Sequence, residues 1–236
     1  MPAYNEAEGI SSFLEELRDA LTSYEVSFVV VNDCSRDSTA EVVGELATDG
    51  FPVTLHTNSA NSGHGPSTMN ALCFGLDSGS DIIVATDGDG QFVGSDVRAL
   101  VTMVATGPWD IVEGVRTSRT DPAYRKVTTA ATRGLVWTRV RHLPKDANTP
   151  LRAYRRSALE SLISSVPPRA MTPNLFMSML ARRRGLNVAE VAVRSIPRRG
   201  AEAIGTSWGR GSVLPSKRFV TFCAAATREW FTTSVR

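Results

Sequence analysis

An α/β fold with a mostly parallel sheet and helices on both faces is predicted for this 236-residue chain by three observations. Apolar runs of strand length alternate with segments of helical periodicity through the first half. The loops that follow the strands carry the polar signatures of the chain. The composition, 42% hydrophobic and 21% charged, with Gly 18 and Pro 12, is that of a globular protein able to close a substantial core. A single domain over residues 1–236 is expected, with a ligand site at the carboxyl ends of the strands.

The elements follow in order. From Glu8 to Tyr24 the residues Ile10, Phe13, Leu14, Leu17 and Leu21 fall at i, i+3, i+4, i+7 and i+11, one face of a helix. Val26–Val31 reads as a buried strand, and after the polar loop Asn32–Asp37 the pattern Ser38-x-x-Glu41 has the form of a capping box opening a helix to about Ala47. The cycle repeats with strand Val53–Thr57, Gly-rich loop Asn58–Pro66 and helix Ser67–Leu76. It repeats again with strand Ile82–Thr86, loop Asp87–Gly94, helix Asp96–Thr106 and strand Ile111–Val115. Beyond these come an Arg-rich helical segment Tyr124–Arg141, a polar turn from Asp146 to Tyr154, helices Ser157–Ser165 and Asn174–Arg183, and a strand Val188–Ile196. A Gly/Arg loop Pro197–Ser212 and a final amphipathic helix from Pro215 complete the chain. The chain starts at what reads as the loop after a first strand. That strand is expected to be truncated, and the natural reading frame to begin earlier.

Several classes are excluded. No apolar run approaches the roughly 20 residues that span a bilayer. The first residues carry acid where a signal peptide needs basic charge. Cys34, Cys73 and Cys223 are far apart and odd in number, which argues against a disulfide framework or a zinc site and fits a cytoplasmic protein. The net charge of +2 conceals an asymmetry: residues 1–118 hold 4 Lys+Arg and 18 Asp+Glu (−14), residues 119–236 hold 22 and 6 (+16). Either the second half meets an anion such as a phosphate or a membrane surface, or the halves neutralise one another. Aromatic-basic interleaving of the single-strand nucleic-acid kind is not evident, so no nucleic-acid partner is expected. A Gly-x-Gly-x-x-Gly turn after the first strand is also lacking, which sets aside a dinucleotide-dependent oxidoreductase.

The sharpest local signal is Asp81-Ile-Ile-Val-Ala-Thr-Asp87-Gly-Asp89-Gly-Gln91, a strand that delivers two carboxylates and an amide to its carboxyl end. Neighbouring carboxylates repel, and a hard cation relieves that repulsion while also taking substrate phosphate oxygens. Asp-Gly-Asp-Gly is equally a common turn sequence.

Four motifs in order decide between these readings: Pro2-Ala3-Tyr4-Asn5-Glu6, Val30-Val-Asn-Asp33-x-Ser35-x-Asp37, Asn61-Ser-Gly63-His64-Gly65 and Asp87-x-Asp89-x-Gln91. Together they resemble the GT-A glycosyltransferases of family 2, most closely the polyprenyl-phosphate branch that includes dolichyl-phosphate mannose synthase. The resemblance covers Pro2–Arg156 well and the remainder loosely. It implies a single Rossmann-like sheet, with residues 1–115 binding the nucleotide sugar and 116–236 the acceptor. It implies that Pro2, Ala3, Tyr4, Glu6, Asp33, Gly65 and Asp87 bind the nucleotide, and that Asp87, Asp89 and Gln91 hold Mg²⁺ or Mn²⁺ and the diphosphate. It further implies that Arg116 and Arg125 grip an acceptor phosphate, together with Arg152 of the segment Asp146-x-x-x-x-x-Arg152-Ala-Tyr-Arg-Arg156. Arg198 or Arg199, with Ser207, in a stretched Arg…Gly-x-Ser loop with Trp208 where Lys is usual, is placed at the diphosphate. Asp89, Arg116 and Asp146 are the catalytic candidates.

The implied reaction is inverting, metal-dependent transfer of a hexose from a nucleotide-diphosphate sugar to a polyprenyl phosphate, with the protein in the cytoplasm or peripheral on the inner membrane face. An acceptor that is already a phosphate needs no base; a hydroxyl acceptor would need one, for which Asp146 is the candidate. Arg suits bidentate phosphate binding, and a basic half would be drawn to anionic lipid. A hydroxyl acceptor and an inactive nucleotide-sugar-binding protein are the alternatives. The second is motivated by the truncated strand, Asn32 in place of the usual Asp, and the stretched loop. His64 reads as an exposed loop residue, Arg182-Arg-Arg184 as cations complementing a helix C-terminus, and Arg155 and Arg156 fit surface and site alike. Phe219, Phe222, Trp230 and Phe231 are expected to pack in the core.

Overall fold

The computed structural model describes residues 1–117, 134, 136–140, 144–200 and 217–232. Its order is β1 (Pro2–Ala3), α1 (Ile10–Ala20), β2 (Phe28–Asn32), α2 (Thr39–Thr48), β3 (Val53–Thr57), α3 (His64–Asp77), β4 (Ile82–Ala85), α4 (Gly94–Thr106) and β5 (Ile111–Arg116). Then follow β6 (Arg152–Arg155), α5 (Arg156–Ile163), α6 (Pro173–Arg183), β7 (Val188–Val193) and α7 (Lys217–Thr232). The predicted α/β architecture is present: a mostly parallel sheet flanked by helices.

The strands form two groups, β1-β2-β3, all parallel, and β4-β6-β5-β7, in which β5 and β7 are parallel and β6 runs antiparallel to both its neighbours. Strand β1 has only two residues, paired as Pro2 with Val31 and Ala3 with Asn32, and the groups adjoin where Gly88 N–H donates to Pro2 O at 3.0 Å. That bond lies at the carboxyl end of β4, in the loop that carries both acids.

Two differences from the sequence reading have local causes. Arg152–Arg155 is a strand, not part of a polar turn: Ala153 and Tyr154 are buried between β4 and β5, and Arg152 is buried with them because a buried acid, Glu113 of β5, stands 2.9 Å away. Helix α2 has no Ser38 side-chain cap. Asp37 takes that part, with Oδ1 accepting Thr39 N–H at 3.0 Å and Oδ2 accepting Ala7 N–H at 3.1 Å, which also ties the loop before α1 to the helix.

Two apolar clusters lie around the strands. One gathers Phe13, Leu14 and Leu17 of α1 with Val97, Leu100 and Val104 of α4; the other gathers Leu159 and Leu162 of α5 with Phe176 and Leu180 of α6 and Trp230 of α7. Trp230 stacks on Phe176 at 5.3 Å between centroids, as core packing requires, whereas Phe231 is 65% exposed. The side chains of Phe219 and Phe222 lie outside the described residues.

Candidate active site

The loops at the carboxyl ends of β1, β2 and β4 meet at one corner. Asn5, in left-handed backbone at φ 55°, accepts Arg36 N–H through Oδ1 at 2.8 Å, and its own N–H donates to Ser35 Oγ at 3.0 Å. Glu6 N–H donates to Thr39 Oγ1 at 2.9 Å. The Tyr4–Glu6 turn is thus fixed against the β2–α2 loop by side chains that the sequence places there.

Asp33 is buried, and the protein itself uses its carboxylate: Oδ1 accepts from Asn58 Nδ2 at 2.9 Å and Ser62 N at 2.8 Å, and Oδ2 from Gly63 N at 2.9 Å. Asp33 therefore orders the Gly-rich loop that walls the corner. Gly65 is the second residue of α3, and a Cβ there would overlap the carbonyl oxygen of Ala170, so packing alone requires glycine at this position.

Asp87 and Asp89 stand on the loop after β4. Burial, with the charge of Asp87, pushes Asp89 up to about 6. Burial also pushes Glu6 up to about 8; Arg198 opposes the shift, and Asp89 and Asp87 add to it. Three acids thus share one partly desolvated corner. His64, at the first turn of α3, faces it with Nε2 3.6 Å from Asp87 Oδ1. Gln91 does not stand free beside the acids: its N–H donates to Asp89 Oδ1 at 3.2 Å, and its Nε2 to Ile196 O at 3.4 Å.

The mutual repulsion of Asp87, Asp89 and Glu6 fits a divalent cation, and a pair of carboxylates completed by substrate phosphate is a donor set that Mg²⁺ and Mn²⁺ accept. Among the described residues no three His, Cys, Asp or Glu side chains close a protein-only cage. Asp87 and Asp89 would hold the ion, and Gln91 acts as a strut to the neighbouring loop.

That neighbouring loop closes over the corner. Arg198 Nε donates to Glu6 Oε2 at 2.9 Å and Nη2 to Asn5 O at 2.9 Å. Arg199 N–H donates to Asp89 O at 3.1 Å, while its guanidinium pairs with Glu16 and lies 5.3 Å over the ring of Phe13. Gly90, at φ +65°, leaves room for that arginine: a Cβ would come 2.5 Å from Arg199 Cδ. Arg199 therefore anchors the loop on the protein, and Arg198, the neighbouring arginine, faces Glu6.

Where the resemblance expects the acceptor, Arg116 at the end of β5 grips Asp146 through Nε to Oδ2 at 2.7 Å and Nη2 to Oδ1 at 3.0 Å. Two of the three catalytic candidates are thus each other's partners. Arg152 is corrected outright as a phosphate ligand: its side chain is 0% exposed and faces Glu113. Arg155 and Arg156 serve helix ends, donating at 2.8 Å to Val104 O of α4 and Leu76 O of α3, and Arg182 has acid partners beyond the helix C-terminus. Arg125 and Ser207 lie outside the described residues. Glu113 was legible as an anomaly, an acid inside the apolar run Ile111–Val115.

A family model described as glycosyl transferase family 2 matches residues 1–163. The chain belongs to that family. Its relatives include an undecaprenyl-phosphate 4-deoxy-4-formamido-L-arabinose transferase of Pseudomonas fluorescens, 26% identical over 86% of this chain and 58% of that protein. A UDP-N-acetylglucosamine--dolichyl-phosphate N-acetylglucosaminyltransferase of Methanococcus voltae is 24% identical over 88% of each. The chain thus spans little more than half of the first relative and most of the second. Among solved structures, mannosyl-3-phosphoglycerate synthase from Rubrobacter xylanophilus is similar with a TM-score of 0.68 at 15% identity, over 98% of this chain and 70% of that one. Glucosyl-3-phosphoglycerate synthase from Mycobacterium tuberculosis, in complex with Mn²⁺, UDP and phosphoglyceric acid, reaches 0.63 at 17% identity, over 98% and 74%. The family and the GT-A fold expected from the motifs are borne out.

Proposed function

We propose that this family 2 chain transfers a hexose, with inversion, from a nucleotide-diphosphate sugar to a polyprenyl phosphate. The observation that carries the reading is the corner where Asp87, Asp89 and Glu6 crowd together beneath Arg198, with the Arg116–Asp146 pair on the acceptor side. The sequence relatives named for undecaprenyl and dolichyl phosphate support the acceptor, and the Mn²⁺ and UDP of a structural neighbour support the donor side.

Asp87 and Asp89 would hold a divalent ion, whose positive charge would stabilise the negative charge that develops on the departing diphosphate. Glu6 and Asn5 hold Arg198 over the same corner, where its guanidinium meets negative charge on the leaving group. Asp33 keeps the Asn58–Gly63 wall in place, and the Tyr4–Glu6 turn lines the base and ribose. Arg116 engages both oxygens of Asp146, which favours the ionised carboxylate and makes it a weaker base toward a hydroxyl. A phosphate acceptor needs no base, and Arg116 retains Nη1 without a hydrogen-bond partner among the described residues. No helix among the described residues is long and apolar enough to cross a membrane.

The test is a transfer assay with radiolabelled nucleotide sugars, Mn²⁺ or Mg²⁺, and undecaprenyl or dolichyl phosphate. Label in the organic phase bears the proposal out. Label in a water-soluble product establishes a hydroxyl or small-molecule acceptor, and tight nucleotide binding with no product of either kind establishes a binding protein.

A further inference from the structure

The Arg116–Asp146 pair joins a strand end to a turn that has little regular structure, so something must fix the turn. Strands β5 and β7 run parallel with Glu113 opposite Glu190. Two carboxylates side by side repel, and Arg182 of α6 bridges them, with Nη2 2.7 Å from Glu113 Oε2 and 3.0 Å from Glu190 Oε1. Each acid then reaches the turn. Glu190 Oε1 accepts Lys145 N–H at 2.8 Å. Glu113 Oε1 faces Arg152 Nη1 at 2.9 Å, a charge contact without hydrogen-bond alignment, and Arg152 donates from Nη2 to Ala147 O at 2.8 Å and from Nε to Thr149 O at 3.1 Å.

Asp146 lies between these anchor points. Lys145 is held through its amide and Ala147 through its carbonyl, which leaves the backbone on both sides of Asp146 tied to one ion cluster. Glu113 is 1% exposed and Arg152 0%, so solvent does not screen the cluster as it does a surface pair. An apolar filling of this volume would pack as well, yet could not bind an amide and two carbonyls of the turn.

We infer that Glu190, acting with Arg182, Glu113 and Arg152, is a positioning residue that sets the Asp146 carboxylate on Arg116 and thereby shapes the acceptor phosphate site. The inference rests on the acceptor role proposed above for Arg116. Glu190 is the useful point of attack because its side chain is partly exposed and its loss leaves Glu113 with both arginines.

The experiment compares the wild-type protein with Glu190→Ala and Glu190→Gln, measuring KM for donor and for polyprenyl phosphate, the melting midpoint, and the arginine Nε–H resonance of Arg116 by ¹⁵N NMR. Glu190→Gln keeps an acceptor for Lys145 N–H and should behave as wild type. Glu190→Ala should raise the acceptor KM on the order of tenfold, as expected for losing a hydrogen bond to a charged group. Its donor KM should be unchanged, and the Arg116 Nε–H signal should exchange faster with water. An unchanged acceptor KM, an equal rise in both KM values, or an Arg116 signal as protected as in wild type overturns the inference. If the wild type makes no lipid-linked product, the acceptor reading fails, and the Arg116 resonance by itself still decides whether Glu190 sets the pair.

Discussion

At the scale of single residues the corner is defined by acids held in an unfavourable environment. Glu6 sits at about 8 against an ordinary 4.5, and Asp89 at about 6 against 3.8, so the folded protein retains protons that the unfolded chain has released. Their contribution to stability is complete below about pH 4 and is lost as pH rises through about 6 and then about 8. Calorimetric melts at constant ionic strength should therefore show a midpoint that falls between pH 5 and pH 9, with Mn²⁺ reducing the fall. A flat profile would place both acids in solvent. Asp89→Ala should relieve the repulsion and melt no lower than wild type at pH 8, while metal-dependent transfer falls on the order of a hundredfold or more. Near-normal turnover in that variant would remove Asp89 from the metal site. The acids were legible because a strand followed by Asp-x-Asp fixes where two carboxylates go. The arginines were not: Arg152 and Arg116 are the same residue type, and only tertiary burial against Glu113 separates the enclosed Arg152 from Arg116, whose side chain stays 13% exposed on Asp146.

At the scale of elements, periodicity located α1, β2, α2, β3, β4, α4 and β5, because each buries a face whose spacing is written in the chain. It missed β6, whose Arg-Ala-Tyr-Arg has no apolar alternation; the strand depends on cross-strand partners far away in sequence, Ile83 opposite Tyr154 and Glu113 opposite Arg152. The capping of α2 was misassigned by one residue, because a Ser-x-x-Glu pattern and a neighbouring Asp compete for the same amides. Asp37→Ala should cost about 1–2 kcal/mol in urea unfolding, whereas Ser38→Ala should cost a few tenths at most. The opposite ranking would restore Ser38 as the cap.

At the scale of the whole molecule the charge asymmetry acquires a physical account. Arg152 and Arg182 pair with Glu113, Arg194 with Asp96, Arg198 with Glu6 and Arg199 with Glu16, each joining the basic half to the acidic one. For these described arginines the expectation of mutual neutralisation holds, and the case for lipid attraction rests on cations elsewhere in the chain. The same pairs make the halves interdependent: β5 belongs to residues 1–117, yet both its strand partners lie beyond them. A fragment ending at Thr117 would leave Glu113 without its arginines and one edge of β4 unpaired, and should show no cooperative melt by circular dichroism.

The bond from Gly88 to Pro2 joins the two strand groups at the base of the acidic loop. Breathing of the seam would expose that one amide, and a donor bridging both sides would hold it shut. Deuterium uptake at Gly88, followed by mass spectrometry with and without a nucleotide diphosphate, should slow markedly on binding, giving an internal gauge of occupancy that works even before a sugar acceptor is known.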